Sequence, residues 1–409
     1  MILEKPKRIQ FNKVKVDNKP INIPKQMLAQ TVREDRYGEP KNAISIEKIN
    51  IPKLEKDEVL VKVMSAGLNY NDVWASKGYP VNLIKMINSE PFHISGSDAS
   101  GYVTAIGSEV DNLKAGDEIV VSPIWYEPND PYVLEGGDPI LAPSMKAWGF
   151  ETNFGSLAQY CIVKYHQCLV KPKKLSWEEA STFLLSAGTV YRMLTRYSPN
   201  AVKKNDVVLI WGGSGGLGVM AIQLALYYGA TPVCIVSTEK RKKFCEDLGA
   251  KVILRTDFNH WGALSKEQAS PIAQHVWRKD AKIMLRRILK LTNNRHPNIV
   301  LEHPGADTLP TSIYLCEKGG MVVTCAGTTG YLGTFDLRYL WLSQKRLQGS
   351  HGASPDEFQK VVELFDNGVL KPIVGKIYDF ENVPKALQDI HDNIHEPGCI
   401  AIRIGSIEE

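Results

Sequence analysis

Between residues 29 and 170 the chain alternates. EVLVKVM, SGYVTAIGS, DEIVVSP and LAQYCIVK place apolar side chains at about every second position, and Gly, Pro, Asn and Asp separate the runs. A period of two turns one face of each run toward a core, so this part is predicted to be β-rich. From about 180 to 345 the rhythm changes. DVVLIWG is a short unbroken apolar strand, GLGVMAIQLALYYGA an apolar helix ending at Gly229, and TPVCIVS a second strand. RKKFCEDLGA, KVILR, NIVLEHPG and GGMVVTCAG continue the alternation of helix and strand. That order predicts a doubly wound parallel sheet. Beyond about 350, DEFQKVVELFDNG reads as a helix, and KPIVGKIYDF and CIAIRIGS as strands that resume the first pattern. The expected organisation is α/β, with one domain over 1–180, a second inserted over 181–345, and a return to the first over 346–409.

One stretch breaks the rhythm. Residues 256–292 are longer than a crossover between parallel strands needs, and they contain RKDAKIMLRRILK, a basic amphipathic helix. An ordinary surface helix with a packed apolar stripe accounts for most of its charges.

Composition narrows the class without choosing a function. The 409 residues are 44% hydrophobic and 23% charged, and 49 basic against 45 acidic residues leave a net charge of +4. That balance gives no electrostatic argument for nucleic acid. The first twenty residues lack the apolar core of a signal peptide, and no apolar run approaches the roughly 18 residues that span a bilayer. No nucleic-acid or membrane partner is expected, and the cytoplasm is the expected location. The seven cysteines form no C-x-x-C pair and read as reduced thiols.

The clearest chemistry is WGGSGGLG, residues 211–218, between a predicted strand and a predicted helix. Glycines there let the backbone approach a pyrophosphate, and the helix start offers free N–H groups. Gly213, Ser214, Gly215, Gly216, Leu217 and Gly218 are the candidate dinucleotide residues. The following strand ends at Ser237 with no acidic residue to hold an adenosine ribose. Lys240 and Arg241 lie just beyond, so NADPH is expected over NADH, although both could be solvated helix charges.

The domain order, with GDEIVV (116–121), GSLAQYCIV (155–163), LSWEEAS (175–181) and ELFDNGVLKPIV (363–374), resembles the medium-chain dehydrogenase/reductase superfamily. That resemblance implies a GroES-like catalytic domain and a Rossmann domain. Its zinc enzymes use a cysteine and a G-H-E motif. Here LNYND (68–72) and GSDASG (96–101) stand in those places, so no metal is expected. Within the superfamily, NYNDVW (69–74), WGFETNFG (148–155), LIWGGSGGLG (209–218), LEHPG (301–305) and RYLWLSQKR with GSH (338–351) resemble crotonyl-CoA carboxylase/reductases and related enoyl-CoA reductases.

This second resemblance implies hydride transfer from NADPH to the β-carbon of a 2-enoyl-CoA. The enolate left at the α-carbon is then protonated or carboxylated. It also implies four residues that hold carbon dioxide: Asn71, Phe150, Glu151 and His303. Glu151 would fix the His303 imidazole, directly or through a water, His303 and the Asn71 amide would bond the carbon dioxide oxygens, and Phe150 would exclude water. By their residues alone, Glu151 could cap a turn, His303 could be structural and Asn71 an ordinary turn residue. Two departures favour protonation. Tyr79 in ASKGYP resembles a tyrosine proton donor of non-carboxylating reductases, and Ala187 and Gly188 stand where the carboxylating group tends to have an asparagine. The basic helix offers Arg278, Lys282, Arg286 and Arg287 for the phosphates of coenzyme A. The expected function is therefore NADPH-dependent reduction of a short 2-enoyl-CoA. Reductive carboxylation is the alternative, followed by a quinone or alkenal reductase or a non-catalytic NADPH-binding protein. Superfamily likeness implies a homodimer or homotetramer.

Overall fold

The computed structural model describes residues 23–259 and 271–405. An antiparallel pair, β1 (Gln26–Val32) and β2 (Ile44–Asn50), comes first. β3 (Glu58–Gly67), α1 (Tyr70–Lys77), β4 (Asp98–Ile106), β5 (Glu118–Val121), β6 (Tyr160–Lys164) and β7 (Cys168–Val170) follow. The chain then enters α2 (Leu184–Thr195), β8 (Val207–Trp211), α3 (Gly216–Tyr227), β9 (Thr231–Val236), α4 (Glu239–Asp247) and β10 (Lys251–Leu254). Next are α5 (Pro271–Leu291), β11 (Ile299–Glu302), β12 (Met321–Thr324), β13 (Arg346–Gly349) and α6 (Pro355–Asp366). β14 (Val374–Asp379), α7 (Val383–His391) and β15 (Cys399–Arg403) complete it.

The inserted domain is a six-stranded parallel sheet in the order β10-β9-β8-β11-β12-β13. Its inner strands β8, β9, β11 and β12 are buried on both faces, which is why they read as unbroken apolar runs. In β8, Val207, Leu209 and Trp211 pack with Met284 and Ile288 of α5, while Val208 and Ile210 pack with Met220 and Leu224 of α3. The apolar stripe of the basic helix thus covers one face of the sheet. Residues 260–270 of the expected insertion lie outside the described residues.

The other domain is a seven-stranded sheet, β14-β15-β3-β4-β5-β7, with β6 also paired to β3. β15 joins β3 antiparallel, Ile402 facing Ala66, so the tail does return to the first domain. The return comes later than expected at 346. β13 pairs in parallel with β12, Val322 facing Leu347, and Phe358, Val361 and Phe365 of α6 share the apolar core of α2 and α3. The apolar face of α6 needs those helices for its burial, and this keeps it with the inserted domain.

The order of the parallel sheet reverses between β8 and β11. At such a switch point the loops leaving neighbouring strands run in opposite directions and open a crevice at the carboxyl ends. The catalytic domain closes over this crevice.

Candidate active site

A cavity of about 670 Å³ occupies the crevice. Its floor is the turn after β8. Ser214, Gly215, Gly216, Leu217 and Gly218 line it, and the Ser214 hydroxyl is buried without a protein partner. Gly213 stands behind the turn. A Cβ there would lie 2.5 Å from Cys234 Sγ, and one on Gly218 would lie 2.5 Å from the Gly212 carbonyl oxygen. The glycines therefore let α3 start hard against β9, with its free N–H groups directed at the cavity. An unpaired hydroxyl beside a helix start suits a pyrophosphate, and the residues present fit a dinucleotide.

At the adenosine end, Ser237 and Arg241 line the cavity and Lys240 does not. Lys240 pairs with Glu396 at 2.5 Å. Arg241 donates to Asn393 Oδ1 at 2.7 Å. Arg255, at the end of β10, also lines the cavity and is absent from the sequence-based set. Burial lowers the pKa of both guanidiniums, and the charge of Arg255 lowers that of Arg241 further.

On the catalytic side, Asn71 and Phe150 reach the cavity. Asn71 is in the first turn of α1, and its amide nitrogen donates to Ser97 Oγ at 2.7 Å. Asn71 Oδ1 is buried and unpartnered. A hydroxyl can donate as well as accept, so turning this amide over keeps the Ser97 bond and frees two N–H donors. Asp98 Oδ2 accepts from Asn69 Nδ2 at 3.0 Å and Oδ1 from the Leu185 N–H at 2.9 Å. Burial pushes Asp98, and Asp72 in α1, up to about 7.

His303 also lines the cavity, and the direct hydrogen bond it makes is not to Glu151. The Nε2–H donates to the Trp211 carbonyl at 2.9 Å, since a carbonyl can only accept. Burial lowers the His303 pKa, so the ring is neutral and Nδ1 offers a lone pair rather than a proton. Beneath it, the buried Glu302 carboxylate accepts from Gly305 N at 3.0 Å, from Thr308 Oγ1 at 2.5 Å and from the Ser312 hydroxyl. Glu302, at about 7 through burial, thereby holds the His303 turn in place.

Glu151 takes the turn-closing arrangement. Its carboxylate accepts the Ala147 N–H at 2.7 Å, and its own N–H bonds to the Ala147 carbonyl at 2.7 Å. The imidazole within reach of its charge is His351. Burial lowers the pKa of that group and Glu151 partly restores it. His351 lines the cavity.

Tyr79 is 48% exposed and is not among the lining residues. Its ring stacks on Tyr331 at 5.3 Å, and Tyr331 in turn meets Trp74, which does line the cavity. Ala187 and Gly188 are not lining residues either. A Cβ on Gly188 would lie 2.2 Å from Phe358 of α6, whereas Leu185, Ser186 and Thr189 are the positions of α2 that reach the cavity. None of Arg278, Lys282, Arg286 and Arg287 lines it. Arg287 pairs with Asp257, and Arg278 acts on Asp336, in the loop that continues from the cavity-lining Thr328 and Thr329.

The donor set does not fit zinc. Cys325 and Cys399 line the cavity, but no third potential ligand lies near enough to share an ion with them among the described residues. Asn71 and Ser97 bond to each other, and Asp98 to Asn69 and the Leu185 N–H. Among the described residues, the one group of three potential ligands near enough to share a cation is Glu39, His391 and Asp392. Lys77 Nζ lies 2.6 Å from that imidazole.

Two known families match. The alcohol dehydrogenase GroES-like domain matches residues 55–173, and the family described as zinc-binding dehydrogenase matches residues 216–367. The crotonyl-CoA carboxylase/reductase of Cereibacter sphaeroides is 41% identical over 385 residues, 94% of this chain and 89% of that protein. The crotonyl-CoA reductase of Streptomyces collinus is 36% identical, over 92% of this chain and 87% of that one. Among solved structures, crotonyl-CoA carboxylase/reductase AntE in complex with NADP has a TM-score of 0.89 at 44% identity, covering 95% of this chain and 96% of that one. The 2-octenoyl-CoA carboxylase reductase CinF, in complex with NADP and 2-octenoyl-CoA, has a TM-score of 0.87 at 33% identity, covering 95% and 90%.

Proposed function

Because the chain belongs to the crotonyl-CoA carboxylase/reductases of the medium-chain dehydrogenase/reductase superfamily, we propose that it is an NADPH-dependent reductase of short 2-enoyl-CoA thioesters whose cavity also admits carbon dioxide. One observation carries the reading. The glycine turn, the Asn71–Ser97 pair, Phe150 and His303 all line one cavity at the switch point of the parallel sheet.

Bound NADPH supplies a hydride to the β-carbon of the enoyl thioester. The chain's own residues do the rest. The start of α3 and Ser214 receive the pyrophosphate, and Arg241 and Arg255 the adenosine phosphate. Donors at the thioester oxygen stabilise the enolate. The turned-over Asn71 amide provides one, and Ser97 keeps it oriented. The α-carbon then forms a bond to a proton taken from water, leaving hydroxide, or to the carbon of carbon dioxide, leaving a carboxylate.

Specific observations support carboxylation. The exposed, stacked Tyr79 is poorly placed as the proton donor, and Gly188 faces Phe358, so an asparagine at that position would meet α6 rather than the cavity. The coenzyme A phosphates are assigned to the side of the cavity toward Arg278, with Arg287 held on Asp257. Seven unpaired cysteines, six of them buried, support a reducing compartment, the cytoplasm. Among the described residues no helix is long and apolar enough to cross a membrane. A homodimer or homotetramer completes the proposal. β13 lies at the end of the sheet order, and Leu337, Trp341 and Leu342, each more than 60% exposed, precede it.

Product analysis after turnover of crotonyl-CoA with NADPH, with and without bicarbonate, tests the reading. Butyryl-CoA alone is expected without bicarbonate, and a mixture with ethylmalonyl-CoA in its presence. No NADPH oxidation with crotonyl-CoA, alongside rapid oxidation with a quinone, would reject it.

A further inference from the structure

A second, more open cavity of about 770 Å³ lies behind the first. The two share three lining residues, Cys325, Ala326 and His351, which therefore form the partition between them. They come from two adjacent strand ends. Cys325 and Ala326 follow β12, and His351 follows β13, tied across by the Ser350 N–H to the Thr324 carbonyl at 2.8 Å. Cysteine and alanine are short, so the imidazole is the bulk of this wall.

The wall of the second cavity is mixed: Ile140, Leu141 and Tyr197 line it together with Arg192, Arg196, Arg346 and Ser350, whose buried hydroxyl has no protein partner. Its opening to solvent, with polar groups on the wall, lets water in. The first cavity has to keep water from an enolate. A partition between a wet chamber and a reaction chamber bears directly on which product forms.

We propose that His351 is the gate of this partition. The inference rests on the function proposed above and names the residue that sets its product ratio. With the ring in place, carbon dioxide at the α-carbon meets little competition. Without it, water from the second cavity reaches the enolate, the α-carbon takes a proton and hydroxide is left behind. Burial lowers the pKa of His351, although the charge of Glu151 opposes that shift, in keeping with an uncharged ring in the wall. His351 is a positioning residue here, since nothing in the proposal has it touch the reacting atoms.

The experiment compares wild type, His351→Ala and His351→Phe, each with NADPH and crotonyl-CoA in saturating bicarbonate. The Ala variant should lower the ratio of carboxylated to reduced product roughly tenfold, and Phe, which refills the wall, should keep it within about threefold of wild type. The KM for NADPH should stay within about twofold in both, which also reports that they fold. Turnover in D₂O without bicarbonate supplies a second readout. An enolate shielded on one side takes deuterium on one face, so wild type and Phe should give mainly one α-epimer and Ala a mixture. This readout stands even if the wild type makes no carboxylated product. Unchanged product and epimer ratios in the Ala variant, with NADPH oxidation intact, would overturn the gate alone. So would a Phe variant as permissive as Ala. A wild type that oxidises no NADPH with crotonyl-CoA removes the underlying function and the gate with it.

Discussion

Two guanidiniums, those of Arg241 and Arg255, share the adenosine end of the cavity, and each is disfavoured by burial. An anion between them relieves that cost, and the 2′-phosphate of NADPH, absent from NADH, is such an anion. Replacing Arg255 with Ala removes one charge-assisted contact of about 1.5–3 kcal/mol. The KM for NADPH should therefore rise roughly 10- to 100-fold and that for NADH stay within about threefold. Steady-state kinetics with both cofactors decide; an equal rise in the two would mean that Arg255 shapes the protein without reading the phosphate. Arg241 was legible in the sequence because it sits four residues after Ser237, in the turn where such charges belong. Arg255 was not. It arrives through the parallel pairing of Val236 with Leu254, which sets the ends of β9 and β10 side by side.

Among the elements, α2 links the site to the scaffold. One side of it, at Leu185, Ser186 and Thr189, meets the cavity. From its last turn the buried Arg192 donates to Asp138 and to Glu357 of α6, both at 2.7 Å. Glu357 also accepts the Ser354 N–H at 2.7 Å, capping α6. Removing the cation would leave Glu357 without its ion pair and Asp138 with only the half-exposed Arg196, at 3.2 Å, at a cost of about 3–5 kcal/mol. Arg192→Met should thus unfold at clearly lower urea concentration than wild type. A loss below about 1 kcal/mol would show that packing of α2 against α6 suffices without the ions. The apolar stripe of α5 was readable from its periodicity and does pack on the sheet, at Met284 and Ile288. What its basic residues face was not readable, because helical spacing gives the direction of a side chain and not the identity of the neighbour it meets.

At the scale of the whole molecule, burial acts in opposite senses on acids and imidazoles. Asp72, Asp98 and Glu302 stand at about 7, above their ordinary values near 4. Between those values the folded state holds protons that the unfolded state has lost, so these groups make stability fall as pH rises. His93, at about 4, and His166, at about 3, are both lowered by burial. For them the unfolded state binds the extra proton, and stability rises with pH over much of the same window. The net slope is a difference of opposing contributions, but a single-site comparison isolates one of them. Relative to Glu302→Gln, wild type should lose about 1.4 kcal/mol of stability per pH unit between 4.5 and 7, and the difference should be flat above 7. Urea unfolding of both proteins at half-unit steps of pH measures it. A constant difference throughout would mean that Glu302 ionises in the folded protein as it does in the unfolded chain.

The two domains, the parallel sheet, the glycine turn and the return of the tail were all determined by sequence read locally. Periodicity of two or of 3.6, turn residues and the order strand–turn–helix act over a few residues, and they survive whatever the chain does elsewhere. The LNYND and GSDASG stretches likewise showed from residue types alone that no thiolate or imidazole stands in those two places. Tertiary structure decided the partners. It gave His303 to the Trp211 carbonyl, directed Glu151 toward Ala147 and His351, set Tyr79 on Tyr331, and turned Gly188 to Phe358. The late boundary after β13 belongs to the same class, since only its pairing with β12 assigns those residues to the parallel sheet. Each of these depends on which strand ends meet at the switch point and at what register. That is set by the burial of two whole sheets and their helices, over separations of up to 200 residues between Glu151 and His351, far beyond the reach of any local pattern.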